Sequence, residues 1–87
     1  MAQVWLPSLL RDLTGGQTRV DAAGKTVGHI VDALDAAYPG IKARLLEKGR
    51  VNSTLQVLVD GRAAMLGLRE PVGEQSEVHF MPLIAGG

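Results

Sequence analysis

The 87-residue chain is long enough for one small hydrophobic core and too short to enclose a large catalytic cavity as well, so a self-contained enzyme is not the first expectation. Nine Lys and Arg balance nine Asp and Glu, and Trp, Tyr and Phe occur once each, which steers the chain toward neither nucleic acid nor an anionic membrane surface. The lack of cysteine excludes disulfides, thiolate metal sites and thiol chemistry, while 46% hydrophobic residues is too apolar for a disordered segment.

The N-terminus shows no basic segment followed by a long apolar run, and each apolar stretch is far below the roughly 18 residues of a membrane helix. A cytoplasmic location is expected. Ala2 to Leu6 reads as a first strand with Val4 and Leu6 on one face, closed by Pro7, which has no backbone donor. "SLLRDLTGGQ" then turns the chain, with Leu10 and Leu13 tucked beneath, and "TRVDA" is the returning strand.

Thr26 is placed to cap a helix whose apolar residues, Val27, Ile30, Val31, Leu34 and Tyr38, share one face. Pro39 and Gly40 end it. A shorter helical turn is expected from Ile41 to Lys48, presenting Ile41, Leu45 and Leu46, until Gly49 breaks it. "TLQVLVDG" alternates Leu55, Val57 and Val59 inward and finishes in Asp60-Gly61, a strong hairpin turn. A brief strand from Ala63 to Met65 pairs back, and the polar turn "EQSE" leads to a last strand with Val78 and Phe80 inward and His79 outward.

The expected class is α+β: a mixed sheet of four to five strands around one main helix, one face buried on the helix and the other open to solvent or a partner. The body is expected to occupy 1–82 and a flexible tail 83–87.

Side chains give no catalytic set. His29 and His79 lack metal-ligand spacing, Ser8, Ser53 and Ser76 lie outside any nucleophile motif, and Asp32 and Asp35 fall on a solvated helical face. "TGGQ" lacks the remainder of a phosphate loop. Arg44, Lys48 and Arg50 form a small basic cluster on a solvated surface.

The ending "MPLIAGG" is different. Two terminal glycines arise by chance in about 1 of 200 chains, and fraying alone gives no reason to place them directly after an apolar strand. Without Cβ atoms, Gly86 and Gly87 make the thinnest possible chain, able to carry the last carboxylate down a narrow channel into another protein's active site. Attack of the Gly87 carboxylate on ATP would give an acyl-adenylate, which a sulfur donor converts to a thiocarboxylate. Ala85 and Gly86 would thread the channel, while Phe80, Met81, Leu83 and Ile84 would dock the tail by β-addition or groove contact.

"LPSLLRDLTGGQTRV", "TVGHIVDALDAAYPGI", "LQVLVDG" and "SEVHFMPLIAGG" together resemble the MoaD/ThiS sulfur carriers, nearly from end to end. The resemblance implies a ubiquitin-like β-grasp fold and a carrier that acts as a protein co-substrate. It implies no bound cofactor or metal, ATP being used by an E1-like activating enzyme, and Gly87 as the thiocarboxylate residue. The hydrophobic "LP" followed by "LLRDLTGGQ" is similar to the CysO-type branch of cysteine biosynthesis. That branch implies a pyridoxal phosphate-dependent synthase as sulfur acceptor and a metalloprotease that releases the new cysteine. Met81-Pro82 stands where the molybdopterin synthase small subunit usually has Pro-Pro. That branch stays open, as do carriers for thiamine, tRNA or secondary metabolites, a ubiquitin-like modifier conjugated to lysines, and an interaction module using its sheet face.

Overall fold

The computed structural model describes residues 1–83. A five-stranded sheet in the order β2-β1-β7-β5-β6 curls around the helix α1 (Val27–Ala37). Its strands are β1 (Ala2–Trp5), β2 (Arg19–Ala22), β5 (Leu55–Val59), β6 (Arg62–Ala63) and β7 (Glu77–Pro82). The first and last strands lie side by side and parallel at the centre, and every other pairing is antiparallel.

Thr26 caps α1 as its position suggests: the His29 backbone N–H donates to Thr26 Oγ1 at 3.2 Å. Val27, Ile30, Val31 and Leu34 point into the core, where they meet Val4, Val57, Val59, Val78 and Phe80 of the sheet. Each of these larger side chains contributes roughly 1.5–3 kcal/mol by leaving water. Gly40, at φ 100°, reverses the chain into the short helix α2 (Ile41–Leu45), which buries Ile41 and Leu45 on the same core. Gly40 has no side chain to cap α2, so the Asp35 carboxylate does it from α1, accepting from the Gly40 and Lys42 N–H groups at 3.1 and 3.0 Å.

Three elements differ from the sequence reading, the first being the brief strand expected from Ala63 to Met65, which is β6 at Arg62–Ala63 and leaves Met65 in an exposed turn. The turn after Pro7 is wound into a 3-10 helix, Ser8–Leu13, which buries Leu10 and half-buries Leu13. The helical turn expected to reach Lys48 stops at Leu45; from there β3 (Leu46–Glu47) and β4 (Arg50–Val51) make a separate hairpin. Its two-residue loop, Lys48-Gly49, holds both residues at positive φ, 53° and 77°, the conformation a tight hairpin requires. Asp60-Gly61, at 52° and 82°, closes β5 to β6 in the same way, as its residues predict.

Candidate functional site: the exit of the central strand

β7 carries the chain toward the terminal glycines, and its start is fixed by one carboxylate. Asp60 Oδ1 accepts the Glu77 backbone N–H at 2.9 Å, and Asp60 Oδ2 accepts the Ser76 hydroxyl at 2.8 Å. Ser76 Oγ in turn accepts the Gly73 N–H at 2.8 Å, so the polar turn before β7 is clamped to the β5–β6 turn. These hydrogen bonds, the Glu77 N–H first and the Ser76 hydroxyl second, hold the Asp60 carboxyl below its ordinary range.

Beyond that clamp β7 is held on both sides only for half its length. Its pairing with β1 runs from Glu77 to His79, whereas its pairing with β5 continues to Pro82 opposite Leu55. Leu83, read from the sequence as the first tail residue, still donates its N–H to the Thr54 carbonyl at 2.8 Å. Past His79 the β1 side of the strand is therefore unpaired among the described residues, and the apolar Met81 and Leu83 stand 39% and 50% exposed beside it. A partner chain can add to this edge by backbone hydrogen bonds while these side chains enter pockets.

Of the docking residues proposed from sequence, Met81 and Leu83 lie at this exit. Phe80 is placed differently: at 2% exposure it is among the largest fully buried side chains and anchors the strand in the core. The same alternation that puts Val78 inside puts Phe80 inside. Ile84, Ala85, Gly86 and Gly87 lie outside the described residues.

The outer sheet face supplies residues the sequence reading passed over. Strand register aligns Arg19, Trp5, His79, Leu58 and Ala63 in one row across all five strands. The Trp5 and His79 rings stack with centroids 4.4 Å apart and planes 2° from parallel, and the Arg19 guanidinium lies 6.0 Å from the Trp5 ring. Met81 occupies the next outward position of β7, so this row borders the exit. The signal was present in the alternation, since Val4 and Leu6 inward force Trp5 outward beside an outward His79.

Asp32, Asp35 and Arg44 have local partners. Lys42 Nζ donates to Asp32 Oδ1 at 2.8 Å, an exposed bond that lowers the Asp32 pKa and raises that of Lys42. With Asp35 capping α2, the two carboxylates do not form an acid–base pair. Arg44 donates to the Leu9 carbonyl at 3.3 Å and lies 3.8 Å from Asp12, which ties α2 to the 3-10 helix. Among the described residues no three His, Cys, Asp or Glu side chains converge as metal ligands, and no helix is long and apolar enough to cross a membrane.

The pattern of the ThiS family matches residues 4–87, almost the whole chain. The chain belongs to the ThiS family. Its fold is accordingly the ubiquitin-like β-grasp, with the central β7 as the strand that leads to the terminal glycines. Within the ThiS relatives, the sulfur carrier protein CysO of Mycobacterium tuberculosis is 33% identical over 97% of this chain and 96% of its own. The crystal structure of the Amycolatopsis orientalis BexX/CysO complex contains a chain that superposes with a TM-score of 0.91 at 32% identity, covering all of both chains. Small archaeal modifier protein 3 of Haloferax volcanii is 34% identical over 71% of this chain and 70% of its own.

Proposed function

We propose that the chain is a sulfur carrier of the CysO type whose Gly87 carboxylate is the reacting group. The observation that carries the reading is the end-to-end likeness to CysO, in sequence and in fold, of a chain whose central strand is followed in sequence by Gly86-Gly87. The Gly87 carboxylate attacks the α-phosphate of ATP in an activating enzyme, forming an acyl-adenylate and releasing pyrophosphate. A sulfur donor then displaces AMP and leaves the thiocarboxylate. Gly86 and Ala85 thread the enzyme's channel, Met81, Leu83 and Ile84 dock at its mouth, and the Trp5–His79 row braces the body against it. Without cysteine in the chain, no internal thiol competes for the activated acyl group.

The acceptor proposed is an aminoacrylate on a pyridoxal phosphate-dependent cysteine synthase, followed by release of cysteine by a metalloprotease. The likeness to a CysO held in a complex with BexX supports docking of this body on a partner protein. Intact-mass measurement after incubation with an activating enzyme, ATP and a sulfur source tests the reading: replacement of oxygen by sulfur adds about 16 mass units. An unchanged mass with an enzyme that charges a known carrier would refute it.

A second reading, a modifier joined to protein lysines, is favoured by the likeness to small archaeal modifier protein 3. High-molecular-weight conjugates in cells that vanish when Gly86 and Gly87 are deleted would support it.

A further inference from the structure

Of the two margins of the five-stranded sheet, one is long enough among the described residues to pair again. β2 lies at the margin of the five-stranded sheet and offers four residues, Arg19–Ala22, whereas β6 at the opposite margin offers two. The phase of β2 is fixed by the bond from the Leu6 N–H to the Thr18 carbonyl at 2.8 Å, in the register that also pairs Val4 with Val20. Thr18, Val20 and Ala22 therefore turn their backbone groups toward β1, and Arg19 and Asp21 turn theirs outward. Among the described residues, neither the Arg19 nor the Asp21 N–H donates to a turn, loop or side-chain acceptor.

Edge strands usually guard themselves with charge, a proline or a bulge. β2 carries no proline, and its two charges are of opposite sign, both exposed and on the same outer face. An antiparallel copy can keep the outward backbone groups paired in three central registers. Centred on Arg19 it sets Arg19 against Arg19, and centred on Asp21 it sets Asp21 against Asp21. Centred on Val20 it sets Arg19 against the other copy's Asp21, twice by symmetry.

We propose that β2 is a self-recognition edge: two copies of this chain pair antiparallel through it, Val20 against Val20, joining their sheets into one. In this register Arg19 and Asp21 of opposite copies are hydrogen-bonded pairs, two backbone bonds each, flanking the Val20 pair on the dyad. The cross-strand ion pair falls on the outer face, in line with Arg19 and Trp5 of the sheet row. The dyad stands perpendicular to the sheet, so the two β7 strands run in opposite directions, about 24 Å apart at ordinary strand spacing. The β7 ends of the two copies, with the exposed Met81 and Leu83, then point in opposite directions. So short an edge falls below the roughly 1,200–2,000 Å² buried by stable complexes, which makes the association weak and reversible.

Sedimentation velocity at concentrations up to about 1 mM, where weak association is populated, tests the proposal. The wild type is expected to move from monomer toward dimer. Arg19→Asp and Asp21→Arg each place like charges opposite one another and raise the apparent dissociation constant about tenfold or more. The double variant Arg19→Asp/Asp21→Arg restores complementarity and with it the dimer, and mixing the two single variants yields a heterodimer. Unchanged melting curves show that the variants fold. A wild type that stays monomeric throughout, single variants that associate as well as wild type, or a double variant that fails to recover would each overturn the assignment.

Discussion

The Trp5 indole lies flat on the His79 imidazole, 4.4 Å between ring centroids, and so couples the N-terminal strand to the strand that leads to the terminal glycines. Both rings sit on the solvent face, where a stack is worth less for folding than for the flat platform it presents. His79→Ala is expected to cost about 1 kcal/mol or less in stability, the range of a cross-strand pair. Trp5 is the chain's one tryptophan, so its fluorescence reports the stack alone. The expected outcome is a brighter, red-shifted emission, together with weaker binding to an activating enzyme and intact chemistry once bound. A raised KM with kcat unchanged would register this. Loss of kcat alone would contradict a docking role.

Asp60 gives the body a defined acid dependence. Its carboxyl is held below the ordinary value by the Glu77 N–H and the Ser76 hydroxyl. A depressed folded-state pKa means that the unfolded state binds the proton first. The Asp60 contribution is therefore complete above the unfolded value, about 3.9, and fades as pH falls through the lower folded value. Asp60→Ala removes both acceptors and puts a β-carbon residue other than Asp or Asn at φ 52°, a destabilisation of about 1–2 kcal/mol at neutral pH after allowance for solvent. Urea titrations at pH 7 and pH 3 are expected to show the gap between variant and wild type shrinking in acid. A constant gap would show that backbone strain, and not the carboxylate, sets the cost.

Much of this architecture is legible in the residues because the local and global signals agree. Thr26 before an i, i+3, i+4 apolar stripe gives α1 with its cap, and Asp60-Gly61 between alternating strands gives the β5–β6 hairpin. The β3–β4 hairpin was hidden because Leu45, Leu46, Glu47 and Lys48 all favour helix, and that propensity masked the Lys48-Gly49 turn. Strand alternation shows which side chains leave the core but not which neighbour they meet, so the Trp5–His79 stack needed the parallel pairing of β1 with β7. Gly86 and Gly87 pointed by composition to the chemistry proposed above, and Phe80 was read beside them for its place in sequence although strand alternation turns it inward.

Gly24 makes a close approach that no side chain can share. A Cβ there would lie 2.8 Å from His29 Cβ and 2.9 Å from the Ile30 nitrogen, both fixed to the first turns of α1. Gly24→Ala must push the β2–α1 connection off the helix, at about 1–3 kcal/mol. For a domain of this size each kcal/mol moves the melting midpoint by roughly 4–8 °C, so calorimetry resolves the change. A midpoint equal to wild type would mean that the connection yields without cost.

Charging and folding are expected to separate at the tail. Deleting Gly86 and Gly87, or replacing Gly87 with Ala, should abolish the thiocarboxylate mass shift, the second by crowding the reacting carbonyl in the partner's channel. Either change should leave the melting midpoint within about 4 °C of wild type, the shift that roughly 0.5 kcal/mol produces in a domain of this size. Charging that survives the deletion would remove Gly87 from the chemistry.

Phe80 and Met81 are neighbours on β7 with opposite environments, 2% and 39% exposed, and that contrast separates core from exposed edge within two residues. Phe80→Ala empties a core site opposite Val57 and is expected to cost about 3–5 kcal/mol, a large share of the stability of a domain this small. Any loss of charging in that variant follows from loss of fold, and recovers when a stabilising osmolyte restores the native state. Met81→Ala removes an exposed side chain opposite Gln56, so stability changes by about 0.5 kcal/mol or less while affinity for the activating enzyme falls. Denaturant melts and enzyme titrations on both variants read the two effects independently. If Met81→Ala unfolds the body, or Phe80→Ala weakens the complex at full folding, the exit of β7 is not divided between core and surface as its register requires.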